Sequence, residues 1–145
     1  MSGNINWGAM ITPEINQARS RAGLERCVDV ERDRRVAGGF VFGGNTFQAR
    51  AEDRENIAGA STAALAAIVN GAQAGDLRWH GGDSDFCWIA ADNTLVPMDA
   101  QTMFGCGQAA MAHKQAMIFA ARALKDLVEI PADFADDRWW PGSVP

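Results

Sequence analysis

An α+β fold is what this 145-residue chain predicts. Two kinds of observation carry that expectation. Three long stretches, near residues 13–36, 52–72 and 100–128, carry helix starts, stops or apolar spacing at three and four residues. Between them lie short segments of alternating aromatic and polar residues, bounded by Gly, Asn and Asp, which read as hairpins. With 48% hydrophobic and 21% charged residues, the composition is that of a globular chain able to bury one core.

The first helix opens at Thr12, a capping residue, followed by Pro13 at the first helical position and Glu14 in the first turn. It ends at Gly38-Gly39. Its interior is polar for its length, so it reads as an arm that docks on a partner or a second copy. The run Asp29–Arg35 alternates in sign, as a solvated helix face with pairs such as Glu31 and Arg35 does. A hairpin follows, turning at Gly43-Gly44-Asn45 and placing Phe40, Phe42 and Phe47 on one face.

The second helix, about 52–72, repeats Ile57, Ala60, Ala64, Leu65 and Ile68 at helical spacing and stops at Asn70-Gly71. A three-stranded antiparallel meander is expected next, with strands at Leu77–His80, Phe86–Ala90 and Thr94–Val96. Asp99 caps the third helix, which carries a seam of Met103, Cys106, Ala110, His113, Met117, Ala120, Leu124 and Leu127. That seam can be satisfied inside the chain or between copies. Three segments result: an arm and helix over 1–37 serving docking and oligomerisation, a compact domain over 38–130, and a Trp- and Pro-containing tail over 131–145.

A net charge of −5, with arginines interleaved among acids, argues against nucleic acid as partner. No apolar run reaches the roughly 18 residues that span a bilayer, and Met1–Trp7 lacks the basic and apolar regions of an export signal. Cys27, Cys87 and Cys106 are odd in number and scattered, which fits buried thiols in a reducing compartment.

Catalytic and cofactor patterns are weak. Gly105-Cys106-Gly107-Gln108-Ala109-Ala110 matches the dinucleotide fingerprint as a string, but it lies inside a helix rather than between a strand and a helix start. It reads as a coincidence or a mark of close helix packing. His80, Asp83, Asp85 and Cys87 offer ligand atoms at no closed zinc spacing, in a loop where Asp and Gly are ordinary turn residues. His113, with no acid or cysteine at four residues' distance, reads as a packed seam histidine. The expectation is therefore no catalytic residue, no cofactor and no metal. Tryptophans near the chain ends, Trp7, Trp139 and Trp140, need a surface to cover them. With Ile11, Ile15, His113, Met117 and Leu124 they form the candidate interface.

Two ordered motifs carry a family likeness. One is Arg54-Glu55-Asn56-Ile57-Ala58-Gly59-Ala60 after a Gly-rich aromatic hairpin. The other runs through Trp88, Asp92-Asn93-Thr94, Val96, Met98 and Ala100 to His113-Lys114 and Ala120-Ala121-Arg122. Over roughly 12–128 the chain resembles a small phage domain family of unknown function, found in or beside tail-fibre and tail-fibre-assembly proteins of tailed bacteriophages. The resemblance implies a non-enzymatic structural component of the virion tail, at the fibre or baseplate, assembled in the bacterial host cytoplasm. It also implies a homo-oligomer, with a trimer favoured. The alternative is a tail-fibre assembly chaperone absent from the mature particle.

Overall fold

The computed structural model describes Gly3 and residues 12–142. Trp7 and Ile11 lie outside the described residues. The α+β expectation holds: the described residues form three helices and two small antiparallel sheets, in the order α1 (Pro13–Ala37), β1 (Phe40–Phe42), β2 (Asn45–Phe47), α2 (Ala51–Val69), β3 (Cys87–Ile89), β4 (Leu95–Pro97) and α3 (Ala100–Asp126). A 3₁₀ turn at Asp137–Trp139 follows.

Local chemistry sets most boundaries. Thr12 Oγ1 accepts the Ile15 N–H at 3.2 Å, and Pro13 takes the first helical position of α1. After α1, Gly39 adopts φ +105°, and a Cβ there would come within 2.8 Å of the Phe47 carbonyl oxygen. Only glycine lets the chain enter β1 so close to β2. Gly43 and Gly44 (φ +57° and +80°) make the two-residue turn, and the register pairs Phe40 with Phe47. Helix α2 closes with the 6→1 and 5→2 bonds of a Schellman motif: Ala72 N–H to Ala67 O and Gly71 N–H to Ile68 O. Asp99 starts α3, its carboxylate accepting the Thr102 N–H at 2.7 Å and the Gly75 N–H at 2.8 Å. Those bonds hold its carboxyl below the usual carboxylate range.

The meander is a correction. Only β3 and β4 pair, and Leu77–His80 coils through turns. Asp76 captures the Arg78 N–H at 2.8 Å, and Gly81 N–H bonds back to Arg78 O at 3.0 Å, which bends the backbone away from extension. The alternating side chains mislead because Trp79 still reaches the core, its indole N–H donating to Met98 O at 3.0 Å.

Among the described residues the interior has two clusters, and α3 serves both. Met103, Cys106 and Ala110 pack with Ile57 and Ala64 of α2 and with Phe40 and Phe47 of the hairpin. Met117, Ala121 and Leu124 pack with Val28 and Val36 of α1 and with Ile130 and Trp140 beyond α3. The heptad seam is thus largely covered inside the chain. It drifts from Ala120 to Ala121 near its end, as a straight helix of 3.6 residues per turn does against a seven-residue repeat.

Candidate functional site

The interface residues expected from sequence divide sharply. Met117, Leu124 and Trp140 lie in the second cluster, Trp140 at 3% exposure with its indole N–H on Phe134 O at 2.7 Å. Trp139 is half-buried against the same cluster. Ile15 alone of the described set is open, on the first turns of α1, where Thr12–Ser20 are exposed throughout. His113 is half-buried, its Nε2 3.1 Å from the Arg35 carbonyl oxygen, a contact that places a proton on Nε2.

The acid–base run of α1 is only in part a solvated face: Asp33 and Arg34 are exposed, but Glu31 and Arg35 turn inward. Glu31 is 8% exposed and its carboxylate accepts from Arg34 at 2.6 Å and Arg35 at 2.8 Å. The Arg34 hydrogen bond, aided by Arg35, holds the Glu31 carboxyl below its ordinary range against the cost of burial. Arg35 reaches on to Asp137 and the Ala135 carbonyl, both at 2.8 Å, and lies over the Trp140 ring. Nearer its start, Arg21 donates to the Lys125, Leu127 and Val128 carbonyls at the end of α3, and Asp29 takes Lys125 at 2.6 Å. These polar ties clasp α1, from Arg21 onward, to α3 and to the segment after it.

The three cysteines are free and differ in burial: Cys106 is buried, Cys87 half-buried and Cys27 exposed. Among the described residues no group of three His, Cys, Asp or Glu is placed to hold a metal ion. His80 packs its ring against Trp79 and Phe86 instead of turning to Asp83. Burial pushes the Cys106 thiol up to about 11. The Gly105–Gly107 string is helix packing: a Cβ on Gly107 would collide with Ser61 of α2, and one on Gly105 would press on the Phe42 ring.

That contact organises an open apolar surface. α2 and α3 run antiparallel, Gln101 bonding Ala72 O at one end and Gly107 meeting Ser61 midway. Beside the contact, Arg54, Ala58, Ser61 and Leu65 face Phe104, Gly107, Met111 and Lys114 across a trough of about 580 Å³. Its floor is the buried Ile57 and Ala110, and its rim is exposed aliphatic: Leu65 at 44% and Met111 at 61%. Arg54 and Lys114 also line a second cleft of about 580 Å³, which runs to Ile118 and to Arg32 and Val36 of α1. Sequence reading passed over this surface. The signal was a second stripe on α3, Phe104, Gly107, Met111, Lys114 and Ile118, spaced by three and four beside the inner seam.

A smaller cleft of about 350 Å³ brings the two likeness motifs together, with Asn56 of one beside Trp88 and Asn93 of the other. Asp53 there is held in the ionised form by Arg50, whose side chain and backbone N–H both reach its carboxylate.

Neither a curated protein nor a solved structure matches the chain. A sequence model of the family described as Domain of unknown function (DUF4376) matches residues 14–138. The match covers α1 through the 3₁₀ turn, so the chain belongs to the DUF4376 family.

Proposed function

We propose that the chain is a non-enzymatic structural component of a bacteriophage tail, an adaptor or segment at the tail fibre or baseplate that works by protein–protein association. Its partners are tail-fibre or baseplate proteins and further copies of itself, in a trimer, and it is assembled in the host cytoplasm into the virion. The likeness of its ordered motifs to proteins in or beside tail-fibre genes supports the phage assignment. The observation that carries the association reading is the open apolar trough between α2 and α3, with Leu65 and Met111 exposed on its rim. Because the inner seam of α3 is covered within the chain, any threefold contact falls to other surfaces, such as the exposed start of α1.

Quantitative mass spectrometry on purified particles of the source phage tests this. A fixed small-integer ratio of the chain to a major tail protein is the expected result. Abundance in the lysate with absence from the particle would sink the structural reading in favour of the assembly chaperone.

A further inference from the structure

We propose that the α2–α3 trough seats an amphipathic helix from another polypeptide, about four turns long, with carboxylates at one end of its apolar stripe. The proposal rests on the association reading above but not on which assembly the chain joins. Two antiparallel helices with facing stripes and a buried floor are two-thirds of a three-helix bundle, and the missing element is a helix. The stripe of α3 from Phe104 to Ile118 sets the occupant's length, about 21 Å at 1.5 Å per residue.

Charge selects the chemistry. In a chain of net −5, most cationic side chains are spent on ion pairs. Among the described residues Arg54 and Lys114 have no carboxylate within ion-pair distance, and both stand where the trough opens into the second cleft; Glu55 lines the same trough, so two cations against one carboxylate leave it an excess of positive charge at that end. There, too, Arg32 and Arg50 already hold aspartates of their own. The far end of the trough, around Leu65 and Phe104, carries no ionic side chain. An incoming helix therefore gains most from an apolar stripe ending in carboxylates beside Arg54 and Lys114. Nucleic acid would leave Leu65, Phe104 and Met111 uncovered. A second copy fits poorly, since the exposed start of α1 offers one large apolar residue, Ile15, and one carboxylate, Glu14, near the cationic Arg19.

The test uses the intact chain and a fluorescein-labelled synthetic helix of about 16 residues. It has leucines at heptad spacing and glutamates in its first turn, and its control carries lysines there. Fluorescence anisotropy should show saturable binding of the glutamate peptide, about tenfold tighter than the control. Lys114→Glu should erase or reverse that preference, and Met111→Glu should weaken both peptides, with thermal melts confirming that each variant is folded. The proposal is overturned if the folded chain binds neither peptide, or binds both equally. It is also overturned if Met111→Glu leaves peptide binding intact or only dissolves self-association, which would make a second copy the occupant. Particle stoichiometry is read separately, so failure of the trough and failure of the tail assignment are distinguishable.

Discussion

The two halves of α3 are held by different physics. Around Met103–Ala110 the partners are apolar, and α2 and α3 approach closely enough that Gly107 has no room for a methyl group beside Ser61. Around Met117–Leu124 an apolar cluster of similar makeup is fenced by arginines, Arg21 on three carbonyls and Arg35 joining Glu31, Asp137 and the Trp140 ring. The first half should respond mainly to changes of side-chain volume and little to salt, with acid reaching it through the Asp99 cap. The second should feel all three, because its apolar contacts are made by segments that only the polar ties bring into place.

The strongest way to break the second half is Trp140→Ala, which removes a buried ring and exposes the Arg35 stack. A loss of about 3–5 kcal/mol is expected in denaturant melts. Hydrogen exchange should loosen in α1 and the end of α3 while α2 keeps its protection. Uniform loosening would mean that the halves are one unit.

Glu31→Ala should cost about 1.5–3 kcal/mol, since it strips two arginines of a largely buried acceptor. Its pH signature sharpens the contrast. The Glu31 carboxyl is held below its ordinary range, so its contribution is fully present above the unfolded value, about 4.3, and is lost as pH falls through the lower folded value. Melting temperature should therefore drop on acidification below that range, and Glu31→Gln should flatten the drop. An identical acid profile in the variant would assign the sensitivity to other groups.

In the first half, Gly107→Ala should cost about 1–3 kcal/mol through overpacking against Ser61, despite the better helix propensity of alanine. Ser61→Gly in the same chain should recover most of it, and the loss should be the same at low and high salt. A stabilised single variant would show that the helices separate freely at this crossing.

The smallest effect belongs to Arg21→Ala, at most about 2 kcal/mol from its place at the negative end of α3. It should shrink as salt rises. A salt-independent loss would point instead to packing of its aliphatic stem.

What could be read from sequence tracks the range of the interactions involved. Caps at Thr12 and Asp99 and the Gly43-Gly44 turn are decided by residues within four positions of one another, and all three are found where expected. Leu77–His80 was misread because alternation reports which side chains face inward, and Trp79 does so from a coil. The buried role of Glu31 and Arg35 depends on Asp137 and Ala135, far along the chain, which no local pattern announces. The trough was hidden for a related reason: the inner seam of α3 is the stronger pattern, and whether the stripe beside it is covered depends on where α1 and α2 lie.

The clasp also bears on the order in which the molecule can form. Its contacts join residues 96 to 107 positions apart, Asp29 to Lys125 at the near end and Arg21 to Val128 at the far one. Helix α1 therefore leaves the ribosome about a hundred residues ahead of its partners. The hairpins, α2 and the first turns of α3 can close on one another while it waits. During that interval Val28 and Val36 have no cover, which makes the young chain most adhesive where the finished one is most tightly tied.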